Sequence, residues 1–231
     1  MFKNILSGWK YIIPIAVTSW SIMGALSCIL KYMEACIALT YTGSGPMLIA
    51  LVAVLIKLGG YKWLRLSIGL LSASVVNVLL KILINAPRPP MEEWIVSAEG
   101  PGFPSGHAAI TAAFWTIIYM GTRSRVLLIA GIIHVASVSL SRVELGVHYL
   151  IDVIGGALQG FIVTYTILTF IDKFNNIYKI EYYIITILMF TSFMLFVIDP
   201  SLKTPIFLFI VSIMLLILLY RIRADAGLGK Y

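Results

Sequence analysis

The chain has 231 residues, of which 60% are hydrophobic and 12% are charged, and its mean hydropathy is +0.99. So few polar residues could not cover a soluble domain of this size, which excludes a water-soluble globular protein and predicts a polytopic membrane protein. The formal net charge is +7, but the cations stand between apolar runs and form no basic patch with stacking aromatics. We therefore expect no nucleic-acid partner.

Apolar runs follow one another along the whole chain. A transmembrane helix needs about 20 apolar residues, and fewer when one end is recessed. We expect eight such helices, at 11–33, 39–57, 63–83, 107–120, 126–141, 147–171, 182–198 and 204–220. The first run is longer than the apolar core of a signal peptide, so it should remain as a span. The sequence therefore predicts an all-α, polytopic transmembrane helix bundle that forms a single domain over 1–231.

The basic residues are divided unequally between the two ends of these helices. With eight spans both termini lie on one side, and the loops of that side hold 12 of the 17 Lys and Arg residues. Loops rich in Lys and Arg stay in the cytoplasm. We therefore expect an integral protein of the plasma membrane with both termini in the cytoplasm and the other loops on the extracytoplasmic side.

Five residues within or beside the spans are interpreted as structural. Cys28 and Cys36 show neither a metal-type spacing nor a disulfide framework, so we expect both to be small apolar packing residues. Asn77, His134 and Gln159 are expected to form hydrogen bonds between helices, which is the usual role of polar residues in spans.

The longest connection between apolar runs, 84–106, is the obvious functional loop. It contains the acids Glu92, Glu93 and Glu99, which we interpret as ordinary solvated loop residues, and the prolines Pro87, Pro89, Pro90, Pro101 and Pro104. Proline fixes φ and restricts the residue before it, so this loop should be a stiff scaffold.

Two polar motifs flank this loop. Lys81 and Arg88 form a Lys-x6-Arg-Pro pattern at the end of the third span, and Ser105, Gly106 and His107 follow a proline at the start of the fourth. Each motif has an ordinary explanation when taken alone. The two cations could extend to the membrane interface, and Ser105 could simply cap a helix.

A third motif, Ser-Arg-x5-His-x3-Asp, joins the fifth and sixth spans. If the helix begins at Val147, then His148 and Asp152 lie four residues apart on one face, where the carboxylate can accept a hydrogen bond from the imidazole. An oriented neutral imidazole is a competent nucleophile or base, and Arg142 indicates an anionic target. Taken alone, the pair could also be a satisfied interhelical contact or half of a metal site.

Together the three motifs supply what phosphoryl transfer requires. Lys81, Arg88 and Arg142 provide cations for the phosphate oxygens. Backbone N–H groups at the start of the fourth span can cradle an anion, and Gly106 allows close approach. The fourth span is short if it begins at His107, so the pocket should lie slightly below the headgroup plane, where a lipid phosphate can enter sideways.

The three motifs resemble the signature of the type 2 phosphatidic acid phosphatase family of integral membrane lipid phosphatases, from Lys81 to Asp152 and without a gap. The resemblance implies a six-helix core, about 11–171, which leaves an extra helical hairpin at about 182–220. It implies that His148 attacks phosphorus to form a phosphohistidine, that Asp152 supports His148, and that His107 protonates the leaving group. It also implies that no metal or other cofactor is needed and assigns phosphate binding to Lys81, Arg88, Ser105, Gly106 and Arg142.

The expected activity is hydrolysis of a lipid phosphate or diphosphate at the outer membrane face. Compact loops without an appended headgroup-binding domain favour an isoprenyl diphosphate of the undecaprenyl or dolichyl type over phosphatidate or phosphatidylglycerophosphate. A membrane transporter that binds lipids or anions is the alternative outside enzymes. Vanadium-dependent haloperoxidases share a similar oxyanion pocket, but the many spans argue against that chemistry.

Overall fold

A computed structural model describes residues 12–174, 177–200 and 202–225. Over these ranges the protein is helical and contains no strand, which confirms the predicted all-α class. Its nine α-helices are α1 (Ile12–Ile29), α2 (Met33–Thr42), α3 (Gly45–Gly59), α4 (Tyr61–Ile84), α5 (Gly106–Thr122), α6 (Arg125–Glu144), α7 (Leu150–Ile171), α8 (Ile177–Ile198) and α9 (Lys203–Asp225). A short 3-10 turn, Met91–Glu93, lies in the long loop. The expected start of the first span at residue 11 lies outside the described residues.

Among the described residues, six helices are long and apolar enough to cross a membrane: α1, α4, α6, α7, and the parts of α8 and α9 at Lys179–Ile198 and Lys203–Arg221. The pair α2 and α3 gives a seventh candidate if it counts as one bent span. Helix α5 has 17 residues, whereas the shortest of these six helices has 18. It extends only about 25 Å at 1.5 Å per residue. The predicted fourth span, 107–120, is therefore a short helix.

The predicted span 39–57 is broken in the structure. Helix α2 ends at Thr42, α3 begins at Gly45, and their axes differ by 45°. Pro46, which has no backbone N–H to continue the preceding helix, lies in the first turn of α3. The turn packs tightly, because a Cβ on Gly43 would lie 2.5 Å from the Val138 side chain.

Helix α5 is the centre of the bundle and packs against α4, α6 and α7. Its contact with α7 depends on two glycines spaced four residues apart. A Cβ at Gly156 would lie 2.4 Å from the Ser105 carbonyl oxygen, and one at Gly160 would lie 2.0 Å from that of Ala109. Small residues at this spacing let helix backbones approach closely. This approach holds the start of α5 against the start of α7.

Asn77, His134 and Gln159 form hydrogen bonds between helices, as predicted. The Asn77 amide N–H2 donates to Gln159 (3.3 Å), and Gln159 donates to the Ala73 carbonyl (3.0 Å). His134 accepts from the Trp115 indole N–H (2.9 Å) and contacts a hydroxyl on α2.

The interpretation of Cys28 and Cys36 as free packing residues was wrong, because the two form a disulfide between α1 and α2. The antiparallel turn between these helices brings the two cysteines to a Cα–Cα distance of 4.8 Å, which sequence spacing alone does not reveal. Both are fully buried in a small apolar cluster with Val138, Leu145 and Val147.

Helices α8 and α9 form an antiparallel hairpin that packs against α4. One end of this hairpin is anchored by Glu181, which is fully buried and accepts a hydrogen bond from the Tyr61 hydroxyl (2.6 Å). Arg65 lies between Glu181 and Asp172 and forms an ion pair with each. The other end of the hairpin contacts the long loop, where Leu202 lies over Gly100.

Candidate active site

The three polar motifs converge on one cavity of about 510 Å³. Six of the eight predicted site residues line it: Lys81, Arg88, Gly106, His107, Arg142 and His148. The other two, Ser105 and Asp152, contact each other through the Ser105 N–H and the Asp152 carbonyl (2.8 Å), and Asp152 contacts His148. The structure thus brings all eight predicted residues together.

His148 and Asp152 pair as predicted, but not because they share a helix face. Helix α7 begins only at Leu150, so His148 precedes the helix. The Asp152 carboxylate instead turns back over the helix start, where its Oδ2 accepts from the Tyr149 N–H (2.9 Å) and lies 3.3 Å from His148 Nδ1. Asp152 therefore caps α7 and orients the imidazole at the same time.

His148 is held as a neutral imidazole. Its side chain is almost completely buried, and burial lowers its pKa to about 4. The hydrogen bond to Asp152 opposes this shift in pKa, whereas the positive charge of Arg88 adds to it. At neutral pH Nδ1–H donates to Asp152, so Nε2 is the nitrogen that carries the lone pair, and it accepts from Arg88 Nη1.

Arg88 fixes the long loop against the α6–α7 turn. Its Nε and Nη2 donate to the carbonyl oxygens of Gly100 and Glu99, each at 2.8 Å. Its Nη1 donates to the Val147 carbonyl (2.7 Å) and lies 3.1 Å from His148 Nε2. A guanidinium has five N–H donors, so most of those on Arg88 are already occupied. Its positive charge nevertheless lies directly beside the imidazole.

The other two cations differ in how firmly they are held. Lys81 donates to the carbonyl oxygens of Pro101 (2.6 Å) and Gly102 (3.3 Å). Arg142 is 5% exposed and donates from Nη1 to the Thr40 hydroxyl (3.2 Å), whereas its buried Nε has no hydrogen-bond partner among the described residues. Arg142 is therefore the cation with the most donor capacity left for an anion.

The start of α5 departs in part from the predicted cradle. Ser105 occupies the N-cap position, yet its side chain makes no capping hydrogen bond, and its N–H is already donated to Asp152. The first N–H groups of a helix have no intrahelical acceptor, which leaves those of Gly106 and His107 for an anion. The fully buried Ser105 hydroxyl also lacks a hydrogen-bond partner within the part of the chain that the structure describes.

Comparison with known proteins places this site within a described family. The PAP2 superfamily profile matches residues 62–176, a segment that contains all eight site residues. Phosphatidylglycerophosphatase B of Bacillus subtilis is 30% identical over 159 residues, which cover 62% of this chain and 77% of that protein. The chain belongs to the PAP2 superfamily. Decaprenylphosphoryl-5-phosphoribose phosphatase of Mycobacterium tuberculosis is 34% identical over 102 residues, covering 43% of this chain and 55% of that protein.

Two solved PAP2 structures share the fold. The transmembrane PAP2-type phosphatidylglycerolphosphate phosphatase from Bacillus subtilis superposes with a TM-score of 0.56 at 24% identity, over 75% of this chain and 94% of that one. LpxE from Aquifex aeolicus gives a TM-score of 0.54 at 25% identity, over 60% of this chain and 86% of that one. The protein is thus an integral membrane lipid phosphatase of the PAP2 type, which hydrolyses lipid phosphate esters.

Two parts of the cavity wall were missed by sequence reasoning. Ser44, Gly45 and Pro46, at the break between α2 and α3, line one side. A Gly-Ser-Gly-Pro segment interrupts an apolar run at this point and could have indicated these residues. Irregular backbone inside a membrane is tolerated where it lines a cavity. Lys203 and Phe207 of α9 line another side, beyond the PAP2 match at 62–176, and no sequence motif marks them.

Proposed function

We propose that this PAP2 protein removes phosphate from an isoprenyl phosphate or diphosphate at the extracytoplasmic membrane face, through a phosphohistidine on His148. The observation that supports the proposal most strongly is the placement of His148 between Asp152 and Arg88 at the wall of a cavity lined by Lys81, Arg88, Arg142 and Lys203. In this arrangement a neutral nucleophile faces a site that attracts a phosphate dianion.

The reaction takes two displacement steps. The negative charge of the bound phosphate favours the protonated, imidazolium form of His107. In the first step, the Nε2 lone pair of His148 leaves Arg88 Nη1 and attacks phosphorus, the bond from phosphorus to the lipid-side oxygen breaks, and protonated His107 gives that oxygen its proton. Asp152 stabilises the positive charge that develops on the ring. In the second step water attacks phosphorus, His107 takes a proton from that water, and the P–N bond breaks. Inorganic phosphate leaves, and both histidines return to their starting forms.

The phosphate oxygens are assigned to the donors that the resting site leaves free. Arg142 Nε and the Ser105 hydroxyl are buried without partners, and leaving such groups unpaired is costly. A phosphate would satisfy both, with the N–H groups of Gly106 and His107 at the positive end of α5. Lys81 and Arg88 act as fixed charges, because their donors already hold the loop.

Two lipid classes compete as substrate. The similarity to a phosphatase of a decaprenyl-linked sugar phosphate favours an isoprenyl lipid. The similarity to phosphatidylglycerophosphatase B favours phosphatidylglycerophosphate, which is the second candidate. We favour the isoprenyl class because the loops at the cavity are compact and the structure describes no domain there that would recognise a large headgroup.

We also propose that the cavity opens on the extracytoplasmic face of the plasma membrane and that both termini are cytoplasmic. The excess of Lys and Arg on the opposite side supports this orientation. So does the disulfide between Cys28 and Cys36, because it packs against the α6–α7 turn beside the cavity, and disulfides persist in oxidising compartments. The test is to block thiol exchange in intact membranes, extract the protein and assay Cys28 and Cys36 for free thiols. Free thiols at both positions would argue for the reverse orientation.

The decisive experiment measures phosphate release from undecaprenyl diphosphate, phosphatidylglycerophosphate and phosphatidate in one detergent. We expect the highest kcat/KM with undecaprenyl diphosphate. A preference for phosphatidylglycerophosphate would select the second candidate. Retention of phosphate release in His148→Ala would reject the phosphohistidine mechanism.

Two further measurements separate this mechanism from other chemistry. Activity should survive a chelator such as EDTA, whereas a metal-dependent hydrolase would lose it. Orthovanadate should inhibit, since it resembles the pentacoordinate transition state in shape and charge. A transporter would instead continue to bind or move lipid in the His148→Ala variant.

A further inference from the structure

A second cavity, of about 390 Å³, lies in the membrane-embedded part of the bundle between α3, α4 and α9. Each helix contributes residues from one face. Helix α3 presents Ile49, Val52, Ala53 and Ile56, helix α4 presents Ser67, Leu70, Leu71 and Ser74, and helix α9 presents Leu208, Val211, Leu215 and Leu218. Spacings of three and four residues place each set along a single helix face. We call this second cavity the α9 groove.

The α9 groove adjoins the phosphate cavity. Four residues line both: Ile49, Leu70, Ser74 and Leu208. The chain of a molecule whose phosphate occupied the charged cavity would therefore start beside the groove. From Leu208 to Leu218 the groove follows α9 for about 15 Å, at a helix rise of 1.5 Å per residue.

Most of the groove has the chemistry of a site for a hydrocarbon chain. Apart from Arg221, near the C-terminal end of α9, its lining is aliphatic with two serines that do not present free hydroxyls to it. Ser67 donates to the Leu64 carbonyl and Ser74 to the Leu70 carbonyl, both within α4. Away from Arg221 the groove is therefore suited to an apolar occupant.

We propose that the α9 groove binds the apolar chain of the lipid whose phosphate is cleaved, so that α9 selects substrates by their chain. This inference rests on the proposed function, because it takes the charged cavity as the site of the phosphate. Because the groove adjoins the charged cavity and is lined mainly by aliphatic residues, the occupant that fits it is a long apolar chain joined to a phosphate. Helix α4 lies within the PAP2 match at 62–176 and α9 lies beyond it, so the hairpin completes a groove that the matched core forms only in part.

The test compares two substrates with the same diphosphate head, geranyl diphosphate and undecaprenyl diphosphate, in one detergent. Val211 is partly buried and lines the groove but not the phosphate cavity, so Val211→Trp fills the groove without touching the charged residues. We expect the kcat/KM ratio of the long to the short substrate to fall about tenfold, which corresponds to excluding roughly two CH₂ groups.

Ile210→Trp is the matched control, because Ile210 is the adjacent residue on α9, is 51% exposed and lines neither cavity. Its substrate ratio should stay within about twofold of that of the unaltered protein, well below the tenfold expected for a filled groove. Ala53→Phe fills the groove from α3 and should repeat the effect if Val211→Trp does not fold.

Each outcome decides the proposal. Selective loss of the long substrate in Val211→Trp or Ala53→Phe, but not in the control, supports it. Equal ratios in all variants, with the unaltered protein active on both substrates, overturn chain binding in the groove and leave the proposed function standing. An unaltered protein that releases no phosphate from either diphosphate overturns both.

Discussion

The cavity end of the bundle and the α8–α9 hairpin are built from different interactions. At the cavity, buried polar groups are linked across segments: Arg88 bridges the long loop and the α6–α7 turn, and Asp152 joins His148 to the start of α7. The α9 groove instead has aliphatic walls and serines that are satisfied within their own helix. From this contrast we expect catalysis to depend on a few fixed polar contacts and lipid preference to depend on the shape of the groove.

The largest expected effect is that of His148→Ala. Without the attacking imidazole, phosphate release should fall by at least about 10⁴-fold, as in other enzymes that lose their nucleophile. Release of radiolabelled phosphate measures the loss, and a thermal unfolding curve verifies the fold. The control is Glu144→Gln, in the same turn, because Glu144 forms an ion pair with exposed Lys31 and has no assigned role in catalysis. Comparable activity in the two variants would contradict the assignment of His148.

A smaller loss is expected for Asp152→Asn. The amide oxygen can still accept from the Tyr149 N–H and cap α7, but it cannot stabilise a positively charged His148 ring. We expect kcat to fall by about 10²–10³-fold, with little change in thermal stability. Full activity in this variant would show that Asp152 serves only as a helix cap.

The third effect is on pH dependence. Burial lowers the pKa of His148 to about 4 from an ordinary value of 6.5, so the nucleophilic neutral form persists well below neutral pH. Diethyl pyrocarbonate acylates neutral imidazole, and mass spectrometry can follow its reaction at each histidine. The reaction at His148 should lose half its rate near pH 4. A midpoint near 6.5 would show that the ring is not buried as described.

The same pKa shift has a consequence for stability, and its sign is fixed. Protons bind more tightly to His148 in the unfolded chain than in the folded protein, so this residue opposes folding as the pH falls from about 6.5 towards 4. Its contribution to stability is fully retained above pH 6.5.

The smallest effect is expected in the anchor of the hairpin. Tyr61→Phe removes the hydroxyl that donates to buried Glu181, and loss of one such hydrogen bond to a charged group costs about 1.5–3 kcal/mol. Thermal unfolding in detergent should show a lower midpoint while phosphate release from the folded protein persists. Tyr182→Phe, at a position 52% exposed on α8, is the control and should shift the midpoint less. Equal shifts would indicate that the contact with Glu181 adds no stability.

Much of this architecture was predictable because membrane helices and ordered motifs leave strong signals in sequence. Long apolar runs predicted the helices. The spacing of Lys81, Arg88 and Arg142 relative to the two motif histidines predicted a set of site residues, and the fold brings that set together around one cavity. The residues themselves carry these signals, so no knowledge of tertiary contacts was needed.

Other features depended on contacts between distant segments and were not predictable. The pairing of His148 with Asp152 was expected from helix periodicity, yet it arises because a carboxylate caps α7. The disulfide depends on how α1 turns into α2. The contribution of Lys203 to the cavity wall depends on where the hairpin packs, and hydropathy does not encode that position.

The turn at Gly146 has a consequence for how mutational data on this protein would be interpreted. Gly146 has φ +75°, and a Cβ there would lie 2.0 Å from the Glu93 carbonyl oxygen. Any side chain would therefore force apart the two segments that Arg88 connects. A saturation screen scored by enzyme turnover would rank Gly146 with the residues that perform chemistry, although it has no functional group to contribute.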